Sequence, residues 1–178
     1  MRFTETSLAG AFVIDVDRLV DARGFFARTF CRREFADHGI DFELVQASVS
    51  FSPQRHTLRG LHYQEAPHQE AKLVRCVAGA IFDVIVDLRR SSPTYLQWFG
   101  LELSAEAMNA LYVPPDMAHG FITLGDGATV QYQMSHDYQP QAARGLRWND
   151  PRLAIRWPAE PAAISERDAG YPLLEERA

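Results

Sequence analysis

The chain has 178 residues, two cysteines and a formal net charge of −5. This length fits one domain that buries its core without disulfide support, and a hydrophobic share of 47% with a charged share of 23% is ordinary for a globular protein. The negative charge argues against a nucleic-acid partner, which needs a clustered positive field, but leaves room for a small basic pocket.

The amino-terminal sequence gives no sign of secretion or membrane insertion. Leu8 to Ile14 is the only apolar run there, and Asp15 and Asp17 follow it instead of a small-residue cleavage pattern. No apolar run approaches the length that spans a bilayer. Cys31 and Cys76 lack CxxC spacing and are typical of reduced thiols, with a disulfide as the less favoured alternative. We therefore expect a cytoplasmic protein with no membrane partner.

The first quarter of the chain is predicted to contain strands and one short helix. Strands at Ala11 to Val16 and Phe25 to Phe30 flank a polar turn at Val20 to Gly24. Arg32 to His38 is predicted to be helical, and Gly39 stands where a C-cap glycine ends a helix.

The remainder of the chain is predicted to form short strands between frequent turns. The expected extended segments are Phe42 to Phe51, Thr57 to Tyr63, Lys72 to Val77, Ala80 to Leu88, Leu96 to Leu103, Ala110 to Val113, Gly120 to Thr123 and Ala128 to Ser135. Many short strands with little helix indicate a sandwich or barrel. The spacing suits an all-β jelly roll of the cupin type, a double-stranded β-helix with a few short helices. No linker divides the chain, so residues 1–178 are predicted to form one domain, with a helical turn at Ala162 to Arg167.

The stretch RGLHYQ, residues 59–64, combines a guanidinium, a glycine and an imidazole within a predicted strand. An imidazole exchanges protons near neutral pH without much tuning, although this motif alone favours a histidine that simply hydrogen-bonds across a sheet. Arg59 and His62 differ in parity, so a regular strand would not aim both into one cavity. A bulge at Gly60 would do so, because glycine tolerates that geometry.

Three more polar side chains lie in strands that a curled sheet could aim into the same cavity, namely Lys72, His119 and Tyr132. Asp83 lies between two isoleucines on a buried face, where a carboxylate needs a partner. A histidine such as His119 or His62 would satisfy it, and a turn or backbone amide would do so equally well.

Several stretches, in order, resemble the dTDP-4-dehydrorhamnose 3,5-epimerase family. They are RGLHYQ at 59–64, AKLVRCVAGAIFDVIVDLRRSSPTY at 71–95, LYVPPDMAHGF at 111–121, RGLRWNDP at 144–151 and ISERDAGYP at 164–172. The likeness begins near Gly10 and covers nearly the whole chain. It implies a cupin jelly roll without metal or cofactor, usually a homodimer, that inverts the carbons flanking the ketone of a dTDP-4-keto-6-deoxy sugar on the route to dTDP-L-rhamnose.

The resemblance also implies roles for individual residues. His62 would be the base and Tyr132 the acid on the opposite face, while Lys72 would stabilise the enolate. Asp168 would orient His62, which implies that the tail, from about residue 158 to 178, folds back over the cavity. The implied substrate-binding residues are Arg23 and Arg59 at the diphosphate, Tyr138 at the base, and His119, Gln46, Ser48, Arg28 and Arg167.

Departures from the family pattern concentrate on the positions that bind the nucleotide. Arg28 stands where the family commonly has glutamate, Ser48 replaces an asparagine, Ala143 replaces an acidic residue, and Arg167 replaces a lysine. The reaction type is therefore better defined than the nucleotide. An epimerase for position 3 or 5 alone, or for a CDP- or GDP-linked sugar, is an alternative.

Two further alternatives belong to different functional classes. His119 follows VPPDMA in a pattern that resembles the second cupin motif, in which a histidine binds metal. The first cupin motif offers His-x-His, but Gln64 follows His62-Tyr63 here, and the substitutes His68 and Glu70 lie in a loop. A catalytic metal needs about three protein ligands, so a metal-dependent cupin is second to the epimerase. A non-catalytic cupin that binds sugar nucleotides is the other alternative.

Overall fold

The computed structural model describes residues 1–174, and within them the chain forms thirteen strands and two short helices. The elements are β1 (Arg2–Glu5), β2 (Phe12–Asp15), β3 (Arg18–Asp21), β4 (Gly24–Ala27), α1 (Arg32–Asp37), β5 (Gln46–Ser52), β6 (Leu58–Gln64), β7 (Lys72–Ala78), β8 (Ala80–Asp87), β9 (Trp98–Ser104), β10 (Ala110–Val113), β11 (Met117–Thr123), β12 (Ala128–Met134), β13 (Ala143–Gly145) and α2 (Glu166–Ala169). The last four residues of the predicted tail lie outside the described residues.

The strands form two antiparallel sheets and a separate hairpin. One sheet has the order β1-β2-β10-β7-β12-β5, and the other has the order β13-β6-β11-β8-β9. The strands β3 and β4 pair only with each other and pack mainly against each other. The predicted all-β cupin-type jelly roll with a few short helices is confirmed.

Alternation along the strands determines which side chains lie between the two sheets. In β7, Val74 and Cys76 pack with Ile81 and Phe121 from the facing sheet. Leu73 points the other way and belongs to an outer cluster that contains Phe35 of α1. A third cluster covers the outer face of the five-stranded sheet with segments that follow β13. The space between the sheets is therefore filled at its centre by apolar side chains, and polar side chains line its remaining part.

Most predicted strands are confirmed to within one to three residues at each end, but some elements differ. The segment predicted as a polar turn at Val20 to Gly24 contains the end of β3 and the start of β4. Extended structure after Phe42 begins only at Gln46, and the predicted helical turn at Ala162 to Arg167 is wrong. The helix starts at Glu166, because the Ser165 hydroxyl accepts a hydrogen bond from the Asp168 amide (3.1 Å) and so caps it there.

The helix α1 and the cysteines agree closely with expectation. α1 ends one residue before the predicted limit, and Gly39 follows with a positive φ of 73°, as a glycine after a helix does. Cys31 and Cys76 are both free thiols, although Cys31 is partly exposed. Neither helix in residues 1–174 has the length and apolar character needed to cross a bilayer.

Candidate active site

A cavity of about 560 Å³ lies between the two sheets and is closed on one side by the tail. Side chains of both sheets line it together with the segment that leads into α2. The lining comprises Ser50, Thr57, Leu58, Arg59, His62, Lys72, His119, Phe121, Tyr132, Ala163, Ile164, Ser165, Arg167 and Asp168. The structure therefore brings His62, Lys72, Tyr132 and Asp168 to one cavity, together with Arg59, His119 and Arg167.

A bulge at Gly60 allows β6 to present both of its polar side chains to this cavity. Arg59 pairs with Phe121 and His62 with His119, so β6 uses three steps where β11 uses two. Gly60 has a φ of 125°, which L side chains rarely adopt. A Cβ there would lie 2.5 Å from the Gly120 Cα, closer than any side chain permits. The bulge predicted from the parity mismatch is confirmed.

The imidazole of His62 is held by a carboxylate from the tail. Its Nε2 lies 2.7 Å from an oxygen of Asp168, whose other oxygen accepts from the Gly60 amide at 3.1 Å. Burial by itself would raise the pKa of Asp168, but the His62 hydrogen bond, the imidazole charge and the Gly60 amide outweigh it and lower the pKa. Because this carboxylate is ionised and accepts, Nε2 donates, and Nδ1 of the neutral ring carries the lone pair that a base needs.

The phenol of Tyr132 reaches the cavity from the sheet opposite His62. Its hydroxyl lies 3.0 Å from the Ser50 hydroxyl on the neighbouring strand β5. Burial raises the pKa of Tyr132 well above its usual value, and the Ser50 bond opposes that shift only in part. The phenol is therefore protonated at neutral pH, which is the form that can deliver a proton.

Lys72 supplies a buried positive charge beside these two groups. Its ammonium lies 3.0 Å from Glu70 and 3.4 Å from the His62 carbonyl oxygen. A buried charge of this kind must be paired, and the Glu70 carboxylate provides the partner. The ammonium is available to stabilise an oxygen that becomes negative during a reaction.

His119 forms a second histidine–carboxylate pair next to the first. Its Nε2 lies 2.7 Å from one oxygen of the buried Asp83, so His119 is the partner of the carboxylate that the sequence places on a buried face. The other Asp83 oxygen has no hydrogen-bond partner within residues 1–174. Burial raises the pKa of Asp83, against the opposing charges of His119 and Lys72.

An adjoining pocket of about 290 Å³ shares His62, Lys72, Tyr132 and Arg167 with the main cavity. Three further predicted binding residues line it, namely Gln46, Ser48 and Tyr138. The Gln46 side chain accepts from the Tyr138 amide at 3.0 Å, which ties β5 to the loop after β12. Ala143 leaves one wall of this pocket without a carboxylate.

Arg23 and Arg28 do not reach either pocket within this chain. Arg23 is 89% exposed at the turn of the β3–β4 hairpin, where it pairs with Asp21. Arg28 pairs with Glu34 of α1 at 2.8 Å and borders a separate pocket near the amino terminus. Neither residue can therefore contact a ligand held by His62 of the same chain.

Sequence reasoning missed several residues that support the site. Ser50, Glu70 and Ser165 hold Tyr132, Lys72 and Asp168 respectively, and Tyr171 lies against His62. Ser50 has the same strand parity as Ser48, and Glu70 directly precedes the strand of Lys72. The sequence therefore contained a pattern from which Ser50 and Glu70 could have been predicted, whereas no pattern indicates the contact of Tyr171 with His62.

The geometry does not provide the set of protein ligands that the metal-dependent alternative requires. The Nε2 atoms of His62 and His119 are each engaged by a carboxylate at 2.7 Å. Within residues 1–174, no three or more histidine, cysteine, aspartate or glutamate side chains lie close enough together to hold an ion. The arrangement instead places an imidazole, a phenol and an ammonium group around one cavity.

Comparison with known proteins yields one consistent family. The profile of the dTDP-4-dehydrorhamnose 3,5-epimerase family matches residues 5–176. A dTDP-4-dehydrorhamnose 3,5-epimerase of Methanothermobacter thermautotrophicus is 42% identical over 178 aligned positions, which cover 98% of this chain and 95% of that protein.

Solved structures give the same result. The crystal structure of the corresponding epimerase from Bacillus anthracis, with TDP and pyrophosphate bound, superimposes with a TM-score of 0.94 at 39% identity and covers 97% of this chain and 99% of that one. The Legionella pneumophila enzyme in complex with dTDP-4-keto-L-rhamnose has a TM-score of 0.92 at 37% identity, covering 98% of this chain and 93% of that one.

Proposed function

Because this chain belongs to the dTDP-4-dehydrorhamnose 3,5-epimerase family, we propose that it converts dTDP-4-dehydro-6-deoxy-D-glucose to dTDP-4-dehydro-L-rhamnose. The observation that carries the proposal is the placement of His62 and Tyr132 on facing sheets around one cavity. A sugar between them meets a base on one face and an acid on the other. Inversion of a carbon requires this arrangement, because the proton must leave one face and return to the opposite one.

Each inversion begins with proton removal beside the ketone. Nδ1 of His62 takes the proton from the carbon, and the C–H electrons form the C=C bond of an enolate while the ketone oxygen becomes negative. The Asp168 carboxylate stabilises the imidazolium that results, and the Lys72 ammonium stabilises the enolate oxygen. The Asp83–His119 pair adds a polar wall on the side of the five-stranded sheet.

The second half of each inversion returns a proton from the other face. The enolate electrons form a new C–H bond with the phenolic proton of Tyr132, and the ketone is restored. Before the next inversion, His62 releases its proton to solvent and the Tyr132 phenolate takes one up from solvent. The cycle is redox-neutral and needs no hydride carrier.

The charges around the cavity favour a substrate that carries a diphosphate. Arg59 and Arg167 line the main cavity although the chain as a whole is acidic. A guanidinium suits paired phosphate oxygens. We assign the adjoining pocket, with Gln46, Ser48 and Tyr138, to the nucleoside. The tail that carries Arg167 and Asp168 then closes the site over the bound sugar.

Arg23 and Arg28 take part in binding only if a second copy of the chain brings them. The β3–β4 hairpin exposes Val20 (77%) and Phe26 (70%), and the edge strand β5 exposes Val49 and Phe51. Apolar surfaces of this kind are usual at subunit interfaces. We therefore assign the chain to a homodimer in which the hairpin meets the partner, and we place it in the cytoplasm, consistent with two free cysteines.

The function is tested by following turnover in D₂O with NMR. The enzyme is incubated with 4-keto-6-deoxyglucose linked to dTDP, CDP or GDP. Deuterium is expected at C3 and C5 of the dTDP sugar together with inversion at both carbons. Deuterium at one carbon would indicate a single-position epimerase, and faster exchange with CDP or GDP would reassign the nucleotide. Binding without exchange at any carbon would contradict the proposal and favour a non-catalytic binding protein.

A further inference from the structure

Tyr171, just after α2, lies against the imidazole of His62. The two ring centroids are 6.2 Å apart and the ring planes meet at 72°, which is an edge-to-face contact. Two hydrogen bonds fix the residue at both ends. Nε of Arg167 donates to the Tyr171 hydroxyl at 2.8 Å, and Nε of Arg147 donates to its backbone carbonyl. Tyr171 is thus held firmly beside His62, although it takes part in none of the proposed catalytic steps.

Gly145 provides the space that Tyr171 occupies. It is the strand partner of His62 in the pairing of β13 with β6. A Cβ at this position would lie 2.1 Å from Cε2 and 2.2 Å from Cζ of Tyr171. Any side chain at residue 145 would therefore displace the phenol ring from its place beside His62.

The base depends on a short and weak element for its orientation. The His62 side chain is 40% exposed, so burial alone does not fix its ring. Its carboxylate partner Asp168 lies in α2, which has only four residues. A helix of this length has little stability of its own. The Gly60 amide binds the Asp168 carboxylate directly, and the position of the Asp168 backbone is set by the groups that fix the two ends of α2, which are the Ser165 cap before it and Tyr171 after it.

We infer that Tyr171, seated over Gly145, is a positioning residue that restrains the His62 imidazole and keeps Asp168 within hydrogen-bond distance of it. The assignment to catalysis rests on the proposed epimerisation. The restraint itself is a property of the free protein and can be measured without substrate. The His62 ring contacts Asp168 and Tyr171 of the tail, and Lys72, His119 and Tyr132 line the same cavity.

Four variants test the kinetic side of this inference. Tyr171→Ala is expected to lower kcat by about 10- to 100-fold through misplacement of the base. Its KM should match that of Tyr171→Phe, because both variants remove the hydroxyl that holds the binding residue Arg167. Tyr171→Phe keeps the ring and is expected to retain kcat within about three-fold. Gly145→Ala expels the ring and is expected to match Tyr171→Ala. The double variant Gly145→Ala/Tyr171→Ala is expected to have a kcat no lower than that of either single variant, because the two changes remove the same interaction. Tyr95→Ala, a change at an exposed tyrosine that lines neither the main cavity nor the adjoining pocket, serves as the control.

The restraint is read from the ¹⁵N NMR signals of the His62 ring without substrate, assigned by their loss in His62→Ala. Wild type and Tyr171→Phe are expected to give separate protonated and unprotonated nitrogen signals, because Nε2 donates to Asp168. Tyr171→Ala and Gly145→Ala are expected to give averaged signals from two tautomers.

Unchanged nitrogen signals in both variants would overturn the inference whatever happens to kcat. Equal losses of kcat in Tyr171→Ala and Tyr171→Phe would also overturn it. An inactive wild type with the expected nitrogen signals would instead refute only the proposed function. If Tyr171→Ala fails to fold, Tyr171→Leu, which fills the space without a ring edge, takes its place with the same expectations.

Discussion

At the scale of single residues, the hydrogen-bond partners of His62 and Tyr132 favour the opposite roles proposed for these two side chains. The Asp168 carboxylate accepts a hydrogen bond from Nε2 of His62 and so leaves the lone pair of a base on Nδ1. Tyr132 is buried beside the Ser50 hydroxyl, and burial raises its pKa, so it stays protonated. A ring nitrogen with a free lone pair and a protonated phenol on the facing sheet are the base and the acid that the proposed mechanism needs.

The Asp168→Asn variant is expected to lower kcat by about 100-fold or more, within the range for loss of a general base. An amide keeps the shape of the side chain but lacks the charge that stabilises the imidazolium. Turnover of the dTDP-linked 4-keto sugar measures the effect. Glu166→Gln, which neutralises an exposed carboxylate two residues earlier in the same helix, is the matched control and should stay close to wild type. Equal activity of the two variants would remove Asp168 from the mechanism.

Residue parity predicts part of the site and fails for the rest. Alternation along the strands correctly places Lys72 and Tyr132 with the inner face, and the mismatch of Arg59 with His62 correctly indicates a bulge. Asp168 is separated from His62 by 106 residues, and only the family resemblance connects them in advance. Tyr171 could not be predicted, because its contact depends on how the tail crosses Gly145.

At the scale of elements, the bulge in β6 is the feature that builds the cavity wall. Without the extra residue at Gly60, either Arg59 or His62 would point away from the cavity. The glycine also lets β6 approach β11 closely, since Gly60 and Gly120 face each other across the two strands. The chemistry of the site therefore depends on backbone geometry that only glycine adopts readily.

The Gly60→Ala variant is expected to lose about 2–5 kcal/mol of unfolding free energy, from overpacking and an unfavourable φ. Urea denaturation followed by circular dichroism measures the change. Gly125→Ala is the control, because a Cβ there meets no atom within 4 Å and its φ is not positive. If Gly60→Ala were as stable as Gly125→Ala, the proposed backbone constraint would be incorrect.

The predictability of an element follows from its pattern of side chains. Strands with clear alternation, such as β7, β8 and β12, are predicted within one or two residues. The strand β1 has the sequence RFTE and a mostly exposed pattern, so it has no apolar periodicity to detect. Val20 to Gly24 is predicted as a turn because its glycine and charged residues outweigh its short apolar run, and so β3 is missed, whereas most of β4 lies within the predicted strand at Phe25 to Phe30.

At the scale of the whole molecule, the frequency of turns was enough to predict two packed sheets. The order of strands was not predictable, because β12 pairs with both β7 and β5, which are far away in sequence. The exposed apolar hairpin could not be inferred either, because short apolar runs in a sequence do not show which of them face water. Its exposure is the physical basis of the proposed homodimer.

The assembly is expected to have twice the 20.1 kDa mass of the chain in sedimentation velocity. Phe26→Glu places a charge on the exposed hairpin and is expected to shift the protein from dimer to monomer. Binding of the nucleotide sugar is then expected to weaken, because Arg23 and Arg28 can no longer reach the cavity of the other subunit. Tyr95→Glu, a similar change at an exposed aromatic residue elsewhere, should remain dimeric. A monomeric wild type would confine the site to one chain and exclude Arg23 and Arg28 from it.

The most direct test compares deuterium incorporation with inversion in D₂O for the wild type, His62→Ala and Tyr132→Phe. Deuterium at both carbons with full inversion is expected for the wild type, and neither for His62→Ala. Tyr132→Phe is expected to exchange deuterium with retention, because the base still removes protons while the opposite face lacks its donor. Substantial exchange by His62→Ala, or normal inversion by Tyr132→Phe, would contradict a base and an acid acting from facing sheets.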